Sequence, residues 1–447
     1  MADGAGDASN GGGTLSFQSF VNSCPLSSLQ ILLFAFCFLI AAIDGFDVAL
    51  IGFLAPAIAG SLKLTPSALA PVFGAGQLGA VAGALLIGPL ADRFGRQRLM
   101  IASTVIFGLM TVSTAFVTGV SQLAAMRFLT GIGLGGALPC ATALTAEFCP
   151  ERRRATLTTA MFCGFTLGSA VGGFVTAWAE PLIGWRGVIQ WAGIVPLFMV
   201  PVLLVAVPES AEYLGRKTAN ARRLDRVLRR IGRTDHAPVV TFPDRPDKRS
   251  STVTALFASR PLGGIVLLWA TSFMTLLAVY LLSSWMPIIL TSKGISLRDA
   301  ALATAMFQIG GTVGAIGLGL LMDRFRPRTV LAAGFALAAV LVVAMGNVTD
   351  SIPVLGALIF LAGACLSGGQ VGVMAYTAAW YPAHVRATGV AWTNASGRIG
   401  SIVGSLAGGA LLSLGFGFSA ILGMLAVPVI FAACAIARHN GRAISPG

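Results

Sequence analysis

Long apolar runs recur along nearly the whole of this 447-residue chain, and they constrain its fold more than any other feature. A helix needs about 20 apolar residues to cross a bilayer, and runs of that length predict twelve spans. Only 11% of the residues are charged, against about 25% in a soluble domain. We therefore expect an all-α polytopic membrane protein, which excludes a soluble enzyme, a disordered chain and a disulfide scaffold. The predicted spans lie near residues 29–58, 68–91, 99–119, 122–146, 155–179, 186–207, 262–286, 299–322, 329–347, 353–380, 388–412 and 418–437.

The basic residues predict the orientation of these spans. If the N-terminus is cytoplasmic, 24 of the 30 Lys and Arg residues fall in cytoplasmic segments and four in outward loops. Because positive residues collect on the cytoplasmic side of a membrane, we expect a multi-pass protein of the cell (inner) membrane with both termini in the cytoplasm. The net charge of +13 is then a signal of topology, with the lipid bilayer as partner and no nucleic acid.

An internal repeat divides the spans into two halves. GPLADRFGRQRL (88–99) recurs as GLLMDRFRPRTV (319–330), and PERRRAT (150–156) recurs as PAHVRAT (382–388), at offsets of 231 and 232. Such a repeat predicts two six-helix bundles that face each other across a central site. The predicted organisation is a cytoplasmic tail (1–26), an N-terminal six-helix bundle (27–207), a cytoplasmic linker (208–260), a C-terminal six-helix bundle (261–437) and a cytoplasmic tail (438–447).

The linker has two interpretations. Its portion 222–233 is rich in arginine and is compatible with a basic amphipathic helix that lies against anionic lipid headgroups. A solvated linker with some helix explains the same composition.

Four charged residues stand inside apolar spans: Asp44, Asp47, Arg127 and Arg398. Each costs about 2.5–3.5 kcal/mol to insert, and such residues usually line a cavity or pair with one another. Asp44 and Asp47 are three residues apart and share a helix face. Two carboxylates close together in a desolvated cavity hold a proton more tightly than either does in water. We predict that they couple transport to protons; the alternative is a static ion pair with an arginine.

The two intramembrane arginines receive different predictions. Arg398 lies near the midplane of its span, and its planar guanidinium matches a carboxylate bidentately. It is therefore the candidate for binding an anionic substrate, the alternative being that it only neutralises a carboxylate of the first span. Arg127 lies nearer the outer end of its span and is expected to snorkel, with structural pairing and a coupling role both open.

Charged residues at the predicted cytoplasmic helix ends form a second group. Carboxylates and guanidiniums placed there bridge helices and interact with helix dipoles, which holds one face of a transporter shut. The residues predicted to gate or to control conformation are Asp92, Arg93, Arg96, Arg127, Glu147, Arg154, Asp323, Arg324 and Arg386.

Several motifs resemble those of known transporters. Gly88-Pro-Leu-Ala-Asp-Arg-Phe-Gly-Arg96 is similar to the signature loop of the major facilitator superfamily. Asp44-Gly-Phe-Asp47 and Trp380-Tyr-Pro382 resemble its aromatic acid:proton symporter family. Tyr280-Leu-Leu-Ser-Ser-Trp285 and Gly397-Arg398 look most like the 4-hydroxybenzoate/protocatechuate transporters of that family.

This resemblance covers residues 25–437 and implies a function. It implies alternating access by two six-helix bundles and proton-coupled import of a small aromatic carboxylate that feeds aromatic catabolism. It also implies a monomer whose coupling ion is the proton and which needs no cofactor or metal. Aromatic rings stack on a benzoate, and uncharged polar groups in spans bind a ring hydroxyl or bridge helices. Together with Arg398, the predicted substrate-binding residues are Trp392, Asn394, Phe162, Trp285 and Gln308.

Other functions fit the sequence less well. A proton-antiporting exporter of amphipathic compounds is the alternative among transporters, but the paired aspartates and Arg398 favour an imported anion. A membrane sensor predicts a sizeable signalling domain, whereas the only long hydrophilic segment has about fifty residues. GAGQLG (74–79) matches a dinucleotide fingerprint in letters but lacks the preceding strand, and there is no GxxxxGK[ST] motif. We therefore do not expect an enzyme or an ATP-driven pump.

Overall fold

The computed structural model describes residues 15–216, 220–232, 240–242, 253–347, 351–382 and 385–439. The predicted tails and linker lie partly outside the described residues, so the predicted domain boundaries stay predictions. The helices of the first half are α1 (Phe17–Ser23), α2 (Ser28–Ser61), α3 (Ala70–Phe94), α4 (Arg96–Thr114), α5 (Val120–Phe148) and α6 (Glu151–Ala206). A short 3₁₀ turn, Pro66–Leu69, precedes α3.

The remaining helices follow the same pattern after a polar segment. That segment contributes α7 (Ala211–Gly215), α8 (Ala221–Gly232) and α9 (Val253–Ser259). The helices of the second half are α10 (Leu262–Thr291), α11 (Leu297–Arg324), α12 (Pro327–Asn347), α13 (Ile352–Trp380), α14 (Arg386–Ser413) and α15 (Phe418–Arg438).

The described helices contain the twelve predicted spans. Nine of the described helices are long and apolar enough to cross a membrane, and one of these, α6, contains two spans. Gly184 interrupts α6 with φ 69° and ψ 168°, a conformation that only glycine adopts without strain. α4 and α14 complete the twelve and are less apolar, because α4 begins with two arginines and α14 is rich in Gly, Ser and Thr. The expected polytopic all-α fold is confirmed.

One small element departs from the all-α expectation. Leu15–Ser16 (β1) pairs in parallel with Val240–Thr241 (β2) and ties the N-terminal segment to the segment after α8. α2 then begins at a capping box. The hydroxyl of Ser27 accepts a hydrogen bond from the backbone N–H of Gln30, and the side chain of Gln30 accepts one from the backbone N–H of Ser27. Capping fixes the start of the first membrane helix.

Glycines bring helices into close contact at matching places in the two halves. A Cβ added to Gly168 would lie 1.8 Å from the carbonyl oxygen of Ala42, and one added to Gly400 would lie 2.1 Å from that of Phe273. Only glycine allows backbones to approach so closely. Gly400 follows Gly168 by 232 residues and Phe273 follows Ala42 by 231. The sequence repeat is therefore also a repeat of helix contacts, α2 on α6 and α10 on α14.

A second pair of contacts obeys the same offset. The backbone of Gly79 in α3 lies against the carbonyl of Phe128 in α5, and that of Gly310 in α11 lies against the carbonyl of Phe360 in α13. The twelve helices thus form two bundles with equivalent internal packing, as the sequence predicts.

Candidate functional site: a cleft between the two bundles

The two bundles touch along one half of their length. In α2, the backbone of Gly52 approaches α10 so closely that an added Cβ would lie 2.9 Å from the carbonyl oxygen of Ser283. Gly74 at the start of α3 packs on Leu406 near the end of α14. The edge of Trp285 in α10 meets the ring of Phe73 in α3, with centroids 5.0 Å apart. We call this half the closed side.

Toward the other half the bundles diverge. Thr312 of α11 donates to Thr166 of α6 over 2.6 Å, but one turn further on both helices Phe162 is 44% exposed and Ile316 is 57% exposed. Contact between these helices therefore ends at the threonine pair. The ends that diverge are those at which α3 stops and α4 begins, and we call this half the arginine-rich side.

The same divergence separates α3 from α14. Ser401 lies 3.4 Å from Gln77 across the bundles, whereas Arg398 on the same face of α14 is half-buried and Asn394, one turn beyond, is exposed. Residues three or four apart share a helix face. Both helix pairs thus bound a cleft that opens on the arginine-rich side and ends near the middle of the molecule.

Asp47 forms a buried ion pair. Its Oδ2 lies 2.6 Å from Nη2 of Arg127, and its Oδ1 accepts a hydrogen bond from the hydroxyl of Thr111 over 2.9 Å. Arg127 is only 5% exposed, so the expectation that it snorkels is wrong. The carboxylate of Asp47 on the neighbouring helix α2 compensates its charge inside the bundle. Asp47 thus has an arginine partner, as the alternative interpretation of the aspartates expects, and a coupling role for either aspartate stays a prediction.

Asp44 has no such partner. It is 5% exposed, and within the described part of the chain it makes no hydrogen bond and no ion pair within 4.0 Å. The charges of Arg398 and of Asp47 act on it. Arg398 also interacts electrostatically with the phenol of Tyr280 in α10. Asp44 of the first bundle and Arg398 of the second are thus near enough to interact through their charges, although they form no ion pair within 4.0 Å.

Arg398 is available to an anion. Among the described residues no carboxylate lies within 4.0 Å of its guanidinium, and its side chain donates no hydrogen bond. A half-buried guanidinium with free donors is unusual because burial of an unpaired charge is costly.

The other predicted substrate residues are divided between the cleft and the helix contacts. Phe162 and Asn394 lie on cleft faces, and Gln308 lies on the face of α11 that also carries Thr312. Trp392 stacks on Trp269, with ring centroids 5.6 Å apart. Trp285 does not join this group. It is fully buried, and its indole N–H donates to the carbonyl of Ser405 over 2.8 Å, so it joins α10 to α14.

Three of the predicted gating residues form one cluster on the arginine-rich side. Arg96 at the start of α4 contacts Glu147 at the end of α5 over 2.7 Å and lies 3.8 Å from Asp92 at the end of α3. A third carboxylate, Glu212 of α7, which was not predicted from the sequence, lies 3.2 Å from Arg96. Glu147 also accepts from the hydroxyl of Ser210 and the backbone N–H of Glu212. The cluster ties the ends of three spans to the segment after α6.

The other predicted gating residues do not join that cluster. Arg93 lies over the ring of its neighbour Phe94, and Arg386 donates to the carbonyl of Tyr381 over 3.4 Å. Arg154 is half-buried, and Asp323 and Arg324 are exposed. Those last three have no ion pair within 4.0 Å among the described residues.

Where the second bundle would carry the equivalent cluster, it has a histidine. Arg328 follows Arg96 by 232 residues and is its equivalent in the repeat. The titratable group on which Arg328 acts is His439, whose Nδ1 lies 2.8 Å from the hydroxyl of Tyr376. The ring of His439 packs edge-on against Trp380 at 4.7 Å. Burial, then the positive charges of Arg260 and Arg328, lower the pKa of His439 to about 4. The histidine is therefore neutral at physiological pH.

Comparison with known proteins identifies the fold. A family model described as Major Facilitator Superfamily matches residues 37–317 and 268–442, and so nearly the whole chain. The chain belongs to the major facilitator superfamily. It is accordingly a multi-pass membrane transporter and not an enzyme.

Relatives within the superfamily are close. The chain is 41% identical to the 4-hydroxybenzoate transporter of Pseudomonas aeruginosa over 94% of its own length and 95% of that protein. It is 40% identical to the gallate transporter of Pseudomonas putida, with 95% of each covered. Among solved structures, the inward-open xylose transporter XylE of E. coli superposes with a TM-score of 0.71 at 18% identity, over 93% of this chain and 98% of that one. This last similarity concerns the fold.

Proposed function

We propose that the protein imports a small aromatic carboxylate together with protons by alternating access. The observation that carries the proposal is the half-buried guanidinium of Arg398, which has no carboxylate within 4.0 Å among the described residues and whose charge acts on Asp44. The relatives named for 4-hydroxybenzoate and gallate support a hydroxylated benzoate as the substrate. No cofactor is needed, because the proton is the coupling ion.

Arg398 binds the substrate carboxylate in this proposal. Its planar fork can donate two parallel hydrogen bonds to the two oxygens of one carboxylate. The ring then extends from α14 toward Tyr280 and Gln308, which offer polar groups to a ring hydroxyl, and toward Phe162, which offers an aromatic face. Asn394 and Trp392 lie closer to the mouth of the cleft and contact the substrate as it enters or leaves.

Asp44 carries the proton. When the site is empty, the charge of Arg398 stabilises the carboxylate form of Asp44. A bound substrate carboxylate engages that same positive charge and adds a negative charge nearby, so Asp44 then binds a proton more readily. Binding of substrate and of proton thus favour each other, which is the thermodynamic requirement for symport. Asp47, already neutralised by Arg127, positions α2 against α4 and α5.

In alternating access the cleft opens to one side of the membrane at a time. The bundles must therefore come together on the arginine-rich side when they separate on the closed side. The structure is open toward the ends of the helices that carry most of the basic residues, which we assign to the cytoplasm on the distribution of Lys and Arg. In this assignment both termini are cytoplasmic, the protein lies in the inner membrane and the structure faces inward. The cluster around Arg96 holds the ends of the first bundle in one arrangement, and we assign to it a role in the rate of exchange. We propose that the monomer is the transporting unit.

Transport into proteoliposomes tests the proposal. We expect accumulation of 4-hydroxybenzoate when an inward proton gradient is imposed, and collapse of accumulation when a protonophore dissipates it. Asp44→Asn should abolish gradient-driven accumulation while keeping exchange of labelled for unlabelled substrate, because exchange needs no net proton movement. Asp225→Asn, which changes a surface carboxylate of α8, is the matched control and should behave as wild type.

Two results would contradict the proposal. Unchanged gradient-driven accumulation in Asp44→Asn would remove the proton site from Asp44. Efflux of substrate driven by an inward proton gradient would show an antiporting exporter instead.

A further inference from the structure

The short helix α8 is amphipathic and packs on the first bundle. Val227, Leu228 and Ile231 are buried in the same apolar cluster as Leu29 of α2. The arginines of α8 therefore lie outside this buried stripe, on one flank and on the face that points away from the bundle. Arg223, Arg226 and Arg230, spaced by three and four residues, share one flank.

This flank borders a groove at the membrane-facing edge of the first bundle. The groove has a volume of about 430 Å³ and lies between α8, the start of α4 and the end of α6. Arg98 of α4 joins the three arginines of α8 in its lining, which also includes Leu204 and Val205 of α6. The groove is thus positively charged on one side and apolar on the other.

The four guanidiniums of the groove are uncompensated. Arg98, Arg223, Arg226 and Arg230 are exposed, and in the described ranges none of them has a carboxylate within 4.0 Å. The face of α8 that points away from the bundle differs, because there Arg229 pairs with Asp225 over 2.8 Å.

The groove contains one compensating charge among its described lining residues. Glu209 lines it as well, but its Oε1 already accepts from the backbone N–H groups of Gln97 and Ser210 over 2.9 Å each. It caps the first turn of α4 and reduces the charge of the lining without cancelling it. Four positive groups and one negative group leave a net positive groove.

The apolar wall shows the depth at which the groove lies. Leu204 and Val205 are 59% and 84% exposed on the last turn of the membrane-spanning helix α6. Side chains that are apolar and exposed at the end of a span face lipid tails, and the guanidiniums beside them lie at the level of the headgroups. A ligand with an anionic group next to hydrocarbon matches this arrangement, whereas a freely soluble anion would use only half of it.

We propose that this groove binds the phosphate headgroup of an anionic phospholipid, with the acyl chains along Leu204 and Val205. The basic flank of α8 holds the phosphate from the linker, and Arg98 holds it from the bundle. The lipid thereby joins the linker to the first bundle.

Lipid titration of the full-length protein in detergent tests this proposal. We expect phosphatidylglycerol and cardiolipin to raise Tm saturably and to remain bound in native mass spectra, and phosphatidylcholine to do neither. The variant Arg223→Gln with Arg226→Gln should require at least tenfold more anionic lipid for half of the Tm increase. Arg222→Gln with Arg229→Gln removes the same charge from the same helix outside the groove and should titrate as wild type.

Further arms decide between the alternatives. If the groove variant is poorly folded, Arg98→Gln alone changes an exposed side chain and should give the same direction of change. Equal losses in the groove and control variants would show attraction to the general charge of α8 and overturn the proposal. If inorganic phosphate raises Tm as much as phosphatidylglycerol does, the groove is a site for free phosphate. If phosphatidylcholine binds equally well, the groove does not recognise charge. Either result would overturn the proposal.

Discussion

The ion pair of Asp47 and Arg127 provides a quantitative test of the interior of the first bundle. Both side chains are almost fully buried, at 1% and 5% exposure, and their atoms approach to 2.6 Å. Removing one partner of a buried pair leaves the other charge uncompensated, at a cost of about 3–5 kcal/mol. Replacing both with neutral groups removes that penalty. We therefore expect Asp47→Asn and Arg127→Gln each to destabilise the protein strongly, and the double variant to recover most of the loss.

Unfolding of the purified protein in a mild detergent, followed by intrinsic fluorescence against denaturant, measures this cycle. The control is the pair Asp225→Asn and Arg229→Gln on α8, whose exposed partners should contribute no more than about 1 kcal/mol. In the buried pair the losses from the two single changes should be far from additive. Additive losses, or single variants as stable as wild type, would refute the argument that this pair is a compensated buried charge.

Gly52→Val should slow transport severely, because a side chain there meets the backbone of α10 and keeps the two bundles from coming together on the closed side. Gly60→Val, in open space on the same helix, should transport normally in the same uptake assay. Glu147→Gln should slow exchange of labelled substrate at least several-fold with little change in equilibrium affinity, since Arg96 then loses its nearest carboxylate; a large loss of affinity with normal turnover would contradict this. His439 has a pKa near 4 in the folded protein and about 6.5 when unfolded, so protons bind the unfolded state first and stability should fall by up to about 3 kcal/mol as pH drops from 6.5 to 4. In thermal melts, His439→Gln should lose less stability than wild type between pH 6.5 and 4. Equal losses in the two proteins would contradict the lowered pKa of His439.

The fold could be predicted because its determinants are local or repeated. Each span is a run of apolar residues, and the predicted ends agree with the helices to within five residues, apart from the glycine break inside α6. The repeat was visible because two charged loop motifs recur at a fixed offset, and the glycines at equivalent helix contacts keep that same offset. Gly168 and Gly400 stand at such equivalent contacts.

The pairing of the charged residues could not be predicted in the same way. Asp44 and Asp47 share a helix face, yet Asp47 meets Arg127, which is 80 residues distant, and Asp44 does not. Which carboxylate is compensated depends on the rotation and depth of α5 relative to α2, and apolar periodicity contains neither. The contact of Glu212 with Arg96 could not be predicted for the same reason, since it depends on how the chain turns back after α6.

Aromatic residues show a related limit. Trp285 and Trp392 both lie in apolar spans, but Trp285 is sealed between helices while Trp392 is 41% exposed. A span that is apolar on all sides does not indicate which face meets the cleft. Tyr280, whose phenol interacts electrostatically with Arg398, was not among the predicted residues although it opens the motif that ends at Trp285. Its polar hydroxyl in the middle of an apolar helix was the available signal.

In the proposed mechanism Arg398 binds the substrate carboxylate. Equilibrium binding of 4-hydroxybenzoate and of 4-hydroxybenzamide to wild type and to Arg398→Ala, by calorimetry on the purified protein, forms a cycle of ligand carboxylate against residue 398. A charge-assisted bidentate contact should give a coupling energy of about 1.5–3 kcal/mol, so that the amide binds wild type at least tenfold more weakly than the acid and loses little more in Arg398→Ala. Arg398→Lys, which keeps the charge but not the fork, should fall between wild type and Arg398→Ala. Additive losses, with no coupling between the carboxylate and residue 398, would show that Arg398 only compensates Asp44 and that the substrate is bound elsewhere.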